Sequence, residues 1–317
     1  MSEQSAAGAG AAFDPFSHKP DISDNSRKLY MFNLTKLNQG KPIKSLAFLS
    51  KADILEKIEQ MKPNTQRTYL ISIVSALKGR SEPKFKKLYS KYYELMMNLN
   101  KKLKDNTEKT ETVKENWLTQ DEVMSKQKDL SAIVDEIAEK RRITEDEYNR
   151  LLALVELSLY TLQQPRRNKD YTQMKVVKQV PEEDKTFNYL DTTKWVWVFN
   201  NYKTQKKYKR QTLPIPDELK DILKVFLKHH PKAKEIKGKG ASAEPFLVKY
   251  DGTPISTSPE MTRSLNKIFG KHVGCSMLRA IYLTDKYGKT LEDLKADVSN
   301  MGTSAEVAET NYIKRET

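Results

Sequence analysis

The chain has 317 residues, and 56 lysines and arginines against 42 aspartates and glutamates leave a formal charge of +14. That surplus points to a polyanionic partner or to solvated lysine faces, and charge alone does not choose between them. No run approaches the ~20 apolar residues of a membrane-spanning helix, and no basic segment with an apolar core opens the chain as a secretory signal would. A single cysteine, Cys275, excludes a disulfide framework within one chain and fits a reducing intracellular compartment.

In chain order, residues 1–22 are rich in Ala, Gly and Ser and read as a disordered tail. Helical periodicity begins near Ser26, with Leu29, Met31, Phe32 and Leu37 suiting a short amphipathic helix. Ser50 is placed to cap a second helix, Asn64–Leu77 follows Pro63 as a third, and residues 83–104 form a long one carrying Phe85, Leu88, Tyr92, Leu95 and Met96 on one side. Residues 23–104 therefore read as a small helical bundle. Residues 105–117 are almost wholly polar and read as a linker. Trp117-Leu118 precedes a capping box at Thr119–Glu122, and a second box at Thr144–Glu147 opens a helix that is apolar on most sides and should be central. Strand-like runs follow at Tyr171–Val177, Lys194–Phe199 and Gln211–Ile215, suggesting a small antiparallel sheet. The helical period returns after Pro216-Asp217, and again over Thr262–Phe269, Ser276–Tyr287 and Ser304–Ile313. The fold class is mainly α with a small antiparallel β-sheet.

The candidate chemistry lies in the second half. Arg167 and Asp170 are three apart, so on helical geometry the carboxylate can orient the guanidinium into a fork that matches a phosphate. The neighbouring Arg166 has Lys169 at the equivalent spacing, which cannot orient it. Between two strand candidates, Asn201–Arg210 holds Lys203, Lys206, Lys207, Lys209 and Arg210 with no acid. Such a hairpin turn suits phosphate contact, and a lysine there can also serve as a proton donor, though charge does not say which one. Ser276 and Arg279 open a helix whose apolar residues Met277, Leu278, Ile281 and Leu283 would bury it. Arg279 then needs an anion, either Asp285 or a ligand. Tyr312 stands out by position alone. A phenol with a pKa of about 10 is a poor nucleophile at neutral pH, and clustered cations lower that pKa. Cys275 reads as a packing residue. The four histidines and Cys275 show no zinc spacing, so no metal site is expected, and His229-His230 reads as a helix end.

Together these motifs resemble the tyrosine recombinase, or phage integrase, family over about residues 118–317. Arg167-Asn-Lys-Asp170 looks like the family's first box, Tyr-Lys203-Thr like its lysine hairpin, and Ser276-Met-Leu-Arg279 like its third box. Met-Gly-Thr303-Ser followed nine residues later by Tyr312 matches the last box in spacing. The phrasing Pro-Arg-Arg-Asn-Lys-Asp-Tyr is similar to recombinases of eukaryotic DNA viruses and mobile elements. The resemblance implies a helical core-binding domain over 23–104 and a catalytic domain over 118–317, closing as a C-shaped clamp on double-stranded DNA. It also implies a free monomer or dimer that becomes a homotetramer on DNA, located in the nucleus or at a viral replication site if the host is eukaryotic and in the cytoplasm otherwise. Tyr312 would form a 3′-phosphotyrosyl link, Arg167 and Arg279 would hold the non-bridging oxygens, and Lys203 would protonate the leaving 5′ oxygen, with no cofactor, metal or ATP. Arg166, Lys206, Lys207, Lys209 and Arg210 would contact DNA, and Asp170 would support Arg167.

Two positions depart from the pattern. Ser276 stands where the family has histidine, and Thr303 where it has histidine or tryptophan. Both donate a hydrogen bond and neither titrates near pH 7, so the phosphate clamp is retained while base assistance to Tyr312 is in question. His272 supplies an imidazole only if its helix begins early. Only five residues follow Tyr312, so exchange of a tail between subunits would fall to an upstream helix. The rival functions are a type IB topoisomerase, which shares the arginine–lysine–tyrosine chemistry, and a catalytically weakened relative that only binds DNA. A helix-turn-helix regulator is a weaker third reading, because it would not need a tyrosine at this spacing.

Overall fold

The structure, a computed structural model, describes residues 13–105, 109–181, 183–238, 243–301 and 305–308. The chain divides into two compact units, Met1–Lys109 and Thr110–Thr317. Helices account for 61% of the described residues, against one small sheet among them, so the fold is mainly α with a β component.

The first unit comprises α1 (Asp24–Leu37), a 3₁₀ turn (Leu46–Ser50), α2 (Ala52–Glu59), α3 (Pro63–Leu77) and α4 (Pro83–Asp105). Ser23 caps α1 by accepting from the Ser26 N–H. Pro63 opens α3, where its missing N–H costs nothing. Leu34, Leu70, Ile73, Leu77 and Tyr92 form the centre of the core. Three expectations change. The tail ends earlier, because Phe16 is fully buried and Arg80 donates to the Pro15 carbonyl, so the segment from residue 13 packs on the bundle. α1 buries Asn33, Leu34 and Leu37, leaving Leu29 and Phe32 exposed. Lys51, not Ser50, sits at the start of α2, and the Ser50 hydroxyl donates instead to the Ala47 carbonyl.

In the second unit, α5 (Glu111–Asn116) occupies nearly half of the expected linker, capped by Thr110. Then come α6 (Gln120–Ile137) and α7 (Glu145–Thr161), both opened by full capping boxes, at Thr119–Glu122 and Thr144–Glu147. Leu151, Leu154, Val155, Leu157 and Leu159 of α7 have no exposed surface, which makes this helix the centre of the unit. A one-turn helix α8 (Lys169–Thr172) leads to β1 (Lys175–Val177), β2 (Tyr189–Asp191) and β3 (Val196–Phe199). A short helix α9 (Gln205–Tyr208) lies in the loop to β4 (Gln211–Pro214). α10 (Asp217–His229), α11 (Ala233–Lys237), β5 (Glu244–Pro245), α12 (Ser258–Phe269), α13 (Cys275–Asn300) and α14 (Ala305–Val307) complete the described elements.

The sheet order is β4-β3-β2-β1-β5. It is mixed, not purely antiparallel, because β1 pairs with β2 in parallel while the other pairs are antiparallel. β2 and β5 are too short to show an alternation in sequence, and Tyr171 belongs to α8 because the chain turns there before the strand begins. Alternation within the sheet is strict. Val176, Leu190, Trp197 and Phe199 face the helical core, and Val177, Tyr189 and Val198 form a small cluster on the other face. α13 is longer than expected. Leu278 and Ile281 are buried, but Leu283 is half exposed, since two residues on from Ile281 a helix has turned about 200° away from the core. Among the described residues no helix is long and apolar enough to cross a membrane.

Candidate active site

Pro165 follows the end of α7, where a proline cannot continue a helix, so Gln164–Asn168 run irregularly into α8. This turn is held from behind by a buried network. The Tyr160 hydroxyl donates to Asn168 Oδ1 at 2.6 Å, and Asn168 Nδ2 donates to the Ser258 carbonyl at 3.1 Å and to Thr262 Oγ1 at 3.0 Å. Gln163 adds a second brace, accepting from Trp197 Nε1 and donating to the Tyr171 hydroxyl.

The partner of Asp170 is Arg166, not Arg167. Arg166 Nε donates to Asp170 Oδ2 at 2.8 Å, its Nη1 donates to Gln211 Oε1 at 2.9 Å, and its guanidinium lies 3.7 Å from the centre of the Phe199 ring. The expectation failed because it took residues 167–170 as one helical face. Arg167 lies before α8, and the residue that reaches the carboxylate is four positions away. Arg166 is thus an internal clamp, with its Nε and one Nη1 donor engaged by Asp170 and Gln211. Arg167 is left half-buried with no side-chain hydrogen bond or ion pair among the described residues.

Arg279 comes to the same place from α13. Gly274 precedes the helix, Leu278 and Ile281 anchor it in the core, and Arg279 between them is half-buried. Arg167 and Arg279 line one cavity of about 270 Å³, with Asp170 in its wall. On the hairpin side the lining is Tyr202, Thr204, Tyr208 and Gln211, with Leu213 as its apolar member. Burial raises the Asp170 pKa above the usual carboxylate value, against the opposing pull of Arg166, Arg167 and Arg279 in that order. Its Oδ1 is buried without a hydrogen-bond partner. The cavity therefore presents two uncommitted guanidiniums over a carboxylate already matched to a third, a setting for one compact anion.

β3 and β4 form the expected hairpin, with Phe199 opposite Gln211. Its loop carries Lys203, Lys206, Lys207, Lys209 and Arg210, all exposed and none in an ion pair among the described residues. Tyr202 and Thr204 line the cavity on either side of Lys203, which is itself exposed and outside the lining. Ser276 is exposed in the first turn of α13 and does not line the cavity. His272 lies outside that helix, exposed, with its backbone N–H bonded to Asn116 Oδ1. Arg279 makes no pair with Asp285, which is exposed. Thr303 and Tyr312 lie outside the described residues.

Sequence reading missed Tyr208, Thr204 and Gln211 as cavity residues and Asn168 and Asn188 as buried supports. The signal for Asn188 was a single amide inside the apolar run Phe187-Asn-Tyr-Leu190. Among the described residues no cluster of His, Cys, Asp and Glu has the grouping of a metal site. Cys275 is partly buried against the main core, as a packing residue is. His230 ends α10, bonded to the Phe246 carbonyl and the Lys232 N–H, and burial lowers its pKa. Compared with models of protein families, with curated proteins and with solved structures, the chain matches none.

Proposed function

We propose that this chain is a DNA strand transferase of the tyrosine-recombinase type. The observation that carries the reading is the meeting of Arg167 and Arg279, far apart in sequence, in one small cavity beside an exposed basic hairpin. Two guanidiniums without side-chain hydrogen bonds or ion pairs among the described residues suit the non-bridging oxygens of a phosphodiester, whose charge grows in the transition state. In the reaction the Tyr312 oxygen bonds to phosphorus and the phenolic proton leaves to solvent water. The bond from phosphorus to the 5′ oxygen breaks, its electron pair stays on that oxygen, and Lys203 supplies the proton. The 3′-phosphotyrosyl link conserves the bond energy, so a new 5′-hydroxyl can reverse the step and return the proton to Lys203. The partner is double-stranded DNA, gripped through its backbone by the loop from Lys203 to Arg210. Recombination by this route needs four copies on DNA. The half-exposed stripe Leu283, Tyr287 and Leu291 on α13, spaced at i, i+4 and i+8, supports a packing surface for another copy.

The test is covalent trapping on a duplex nicked near the cleavage point, taken from the termini of the element that encodes the chain. A protein–DNA band that disappears in Tyr312→Phe and in Arg167→Ala is the expected result. Unchanged binding with no adduct would replace the enzyme by a DNA-binding relative, a reading favoured by the exposure of Ser276 outside the cavity lining. Relaxation of supercoiled plasmid lacking a specific site would favour a type IB topoisomerase.

A further inference from the structure

We infer that Asn188 is a positioning residue that fixes the loop of Lys203 against the arginine turn, an inference that rests on Lys203 acting as the acid. Asn188 is 4% exposed, and its amide makes four hydrogen bonds. Nδ2 donates to the Asp170 carbonyl at 2.8 Å and to the Asn201 carbonyl at 3.0 Å. Oδ1 accepts from the backbone N–H groups of Asn200 and Asn201, both at 2.8 Å. Two donors and two lone pairs are all that an asparagine amide has, so the group is saturated.

These four bonds join one element to another. Asp170 belongs to α8, directly after the turn that carries Arg167, whereas Asn200 and Asn201 are the first residues after β3, leading directly to Lys203. Asn188 is itself anchored, since its carbonyl accepts from the N–H of Lys175, the first residue of β1. Asn200 Nδ2 donates to the Phe187 carbonyl and Asn201 Nδ2 to the Thr186 carbonyl, which holds the loop's start to the same segment. At the loop's far end the Tyr202 hydroxyl donates to the Lys209 carbonyl at 2.6 Å. The base of the loop is therefore fixed relative to Arg167, while the Lys203 side chain stays exposed and free to reach a leaving oxygen. No other residue type supplies this pattern. Aspartate has no donors when ionised, and alanine would leave the Asp170 and Asn201 carbonyls and two N–H groups without their partner.

A residue that positions the proton donor should matter only when the leaving group needs a proton. The experiment measures adduct formation by full-length protein on two nicked duplexes, one ordinary and one with sulfur in place of the bridging 5′ oxygen, since a thiolate leaves unprotonated. Asn188→Ala is expected to slow cleavage of the ordinary duplex about 10²-fold, the scale of a misplaced acid, and to recover most of that loss on the sulfur duplex. Lys203→Ala should do the same, and Arg167→Ala should stay defective on both. Equal loss on both duplexes, or no loss on either, overturns the positioning role of Asn188. A Lys203→Ala defect that sulfur does not rescue removes the acid role of Lys203, and the inference falls with it. If Asn188→Ala does not unfold cooperatively, Asn188→Asp carries the same comparison, keeping the acceptor and the shape but losing both donors.

Discussion

Glu156 gives the sharpest test of the core that supports the site. It sits in the middle of α7 with no exposed surface, its Oε2 accepts from the Ser264 hydroxyl on α12, and its Oε1 has no partner. Burial pushes its carboxyl up to about 7, with the Ser264 hydroxyl pulling slightly the other way. An acid with a raised folded-state pKa holds its proton more tightly when folded. Folding therefore takes up protons across this window, and stability falls as pH rises from about 4.5, where the unfolded carboxyl titrates, to about 7. At about 1.4 kcal/mol per pH unit, that interval amounts to roughly 3 kcal/mol lost by neutral pH and absent as a loss at pH 4. Glu156→Gln removes the titration and nearly preserves the shape. The variant should match the parent near pH 5 and exceed it by up to about 3 kcal/mol at pH 8. Urea unfolding followed by tryptophan fluorescence reports this unit alone, because Trp117, Trp195 and Trp197, the three tryptophans of the chain, all lie in it. A stability difference between variant and parent that stays constant from pH 5 to 8, or that turns in the parent's favour at high pH, would refute the reasoning.

Arg166→Ala strands the buried Asp170 carboxylate and should cost about 3–5 kcal/mol in urea unfolding. Arg167→Ala removes no side-chain partner, so it should stay within about 0.5 kcal/mol of the parent while abolishing the covalent adduct. Tyr160→Phe orphans Asn168 Oδ1 behind the arginine turn and should cost about 1–3 kcal/mol by the same unfolding measurement. Replacing Lys206, Lys207, Lys209 and Arg210 together by alanine should flatten the dependence of log affinity on log salt by about 0.9 for each phosphate no longer neutralised, read by fluorescence anisotropy on duplex DNA. An unchanged slope would take the loop off the DNA.

The helices were legible because their signals are local. Both capping boxes lie where the Thr-x-x-Glu spacing puts them, and α7 was recognisable as central from leucines on nearly every side. The hairpin was legible from the alternation of Trp195, Trp197 and Phe199 before a basic turn, although α9 inside that turn was not. What escaped depends on contacts between distant segments. The parallel pairing of β1 with β2 is set by a crossover that no three-residue strand announces. The choice between Arg166 and Arg167 as partner of Asp170 turned on where the helix breaks. Pro165 marks that break, but Phe199 and Gln211, which hold Arg166 in place, come from the far side of the sheet. Leu283 was misjudged because hydrophobicity says that a side chain can be buried, not that the core extends far enough to cover it.

The distribution of buried polarity bears on the proposed chemistry. Asn168, Asp170, Thr172, Asn188 and Asn200 are all nearly inaccessible and all lie at the arginine turn or at the base of the lysine loop. A core selected for stability alone would place apolar residues there, since a buried amide returns little net energy and is costly if one of its bonds is missed. What such groups supply is geometry, because an amide with four partners has one orientation and tolerates no slippage of its neighbours. In this unit, buried polar bonds brace both the turn that bears Arg167 and the start of the loop that bears Lys203. The side chains left without partners among the described residues at that junction, Arg167, Lys203 and Arg279, are the ones with a charge to offer. Rigid backbone under uncommitted cations is what phosphoryl transfer demands of a protein, because positioning and electrostatics, not covalent assistance from many groups, supply most of its rate.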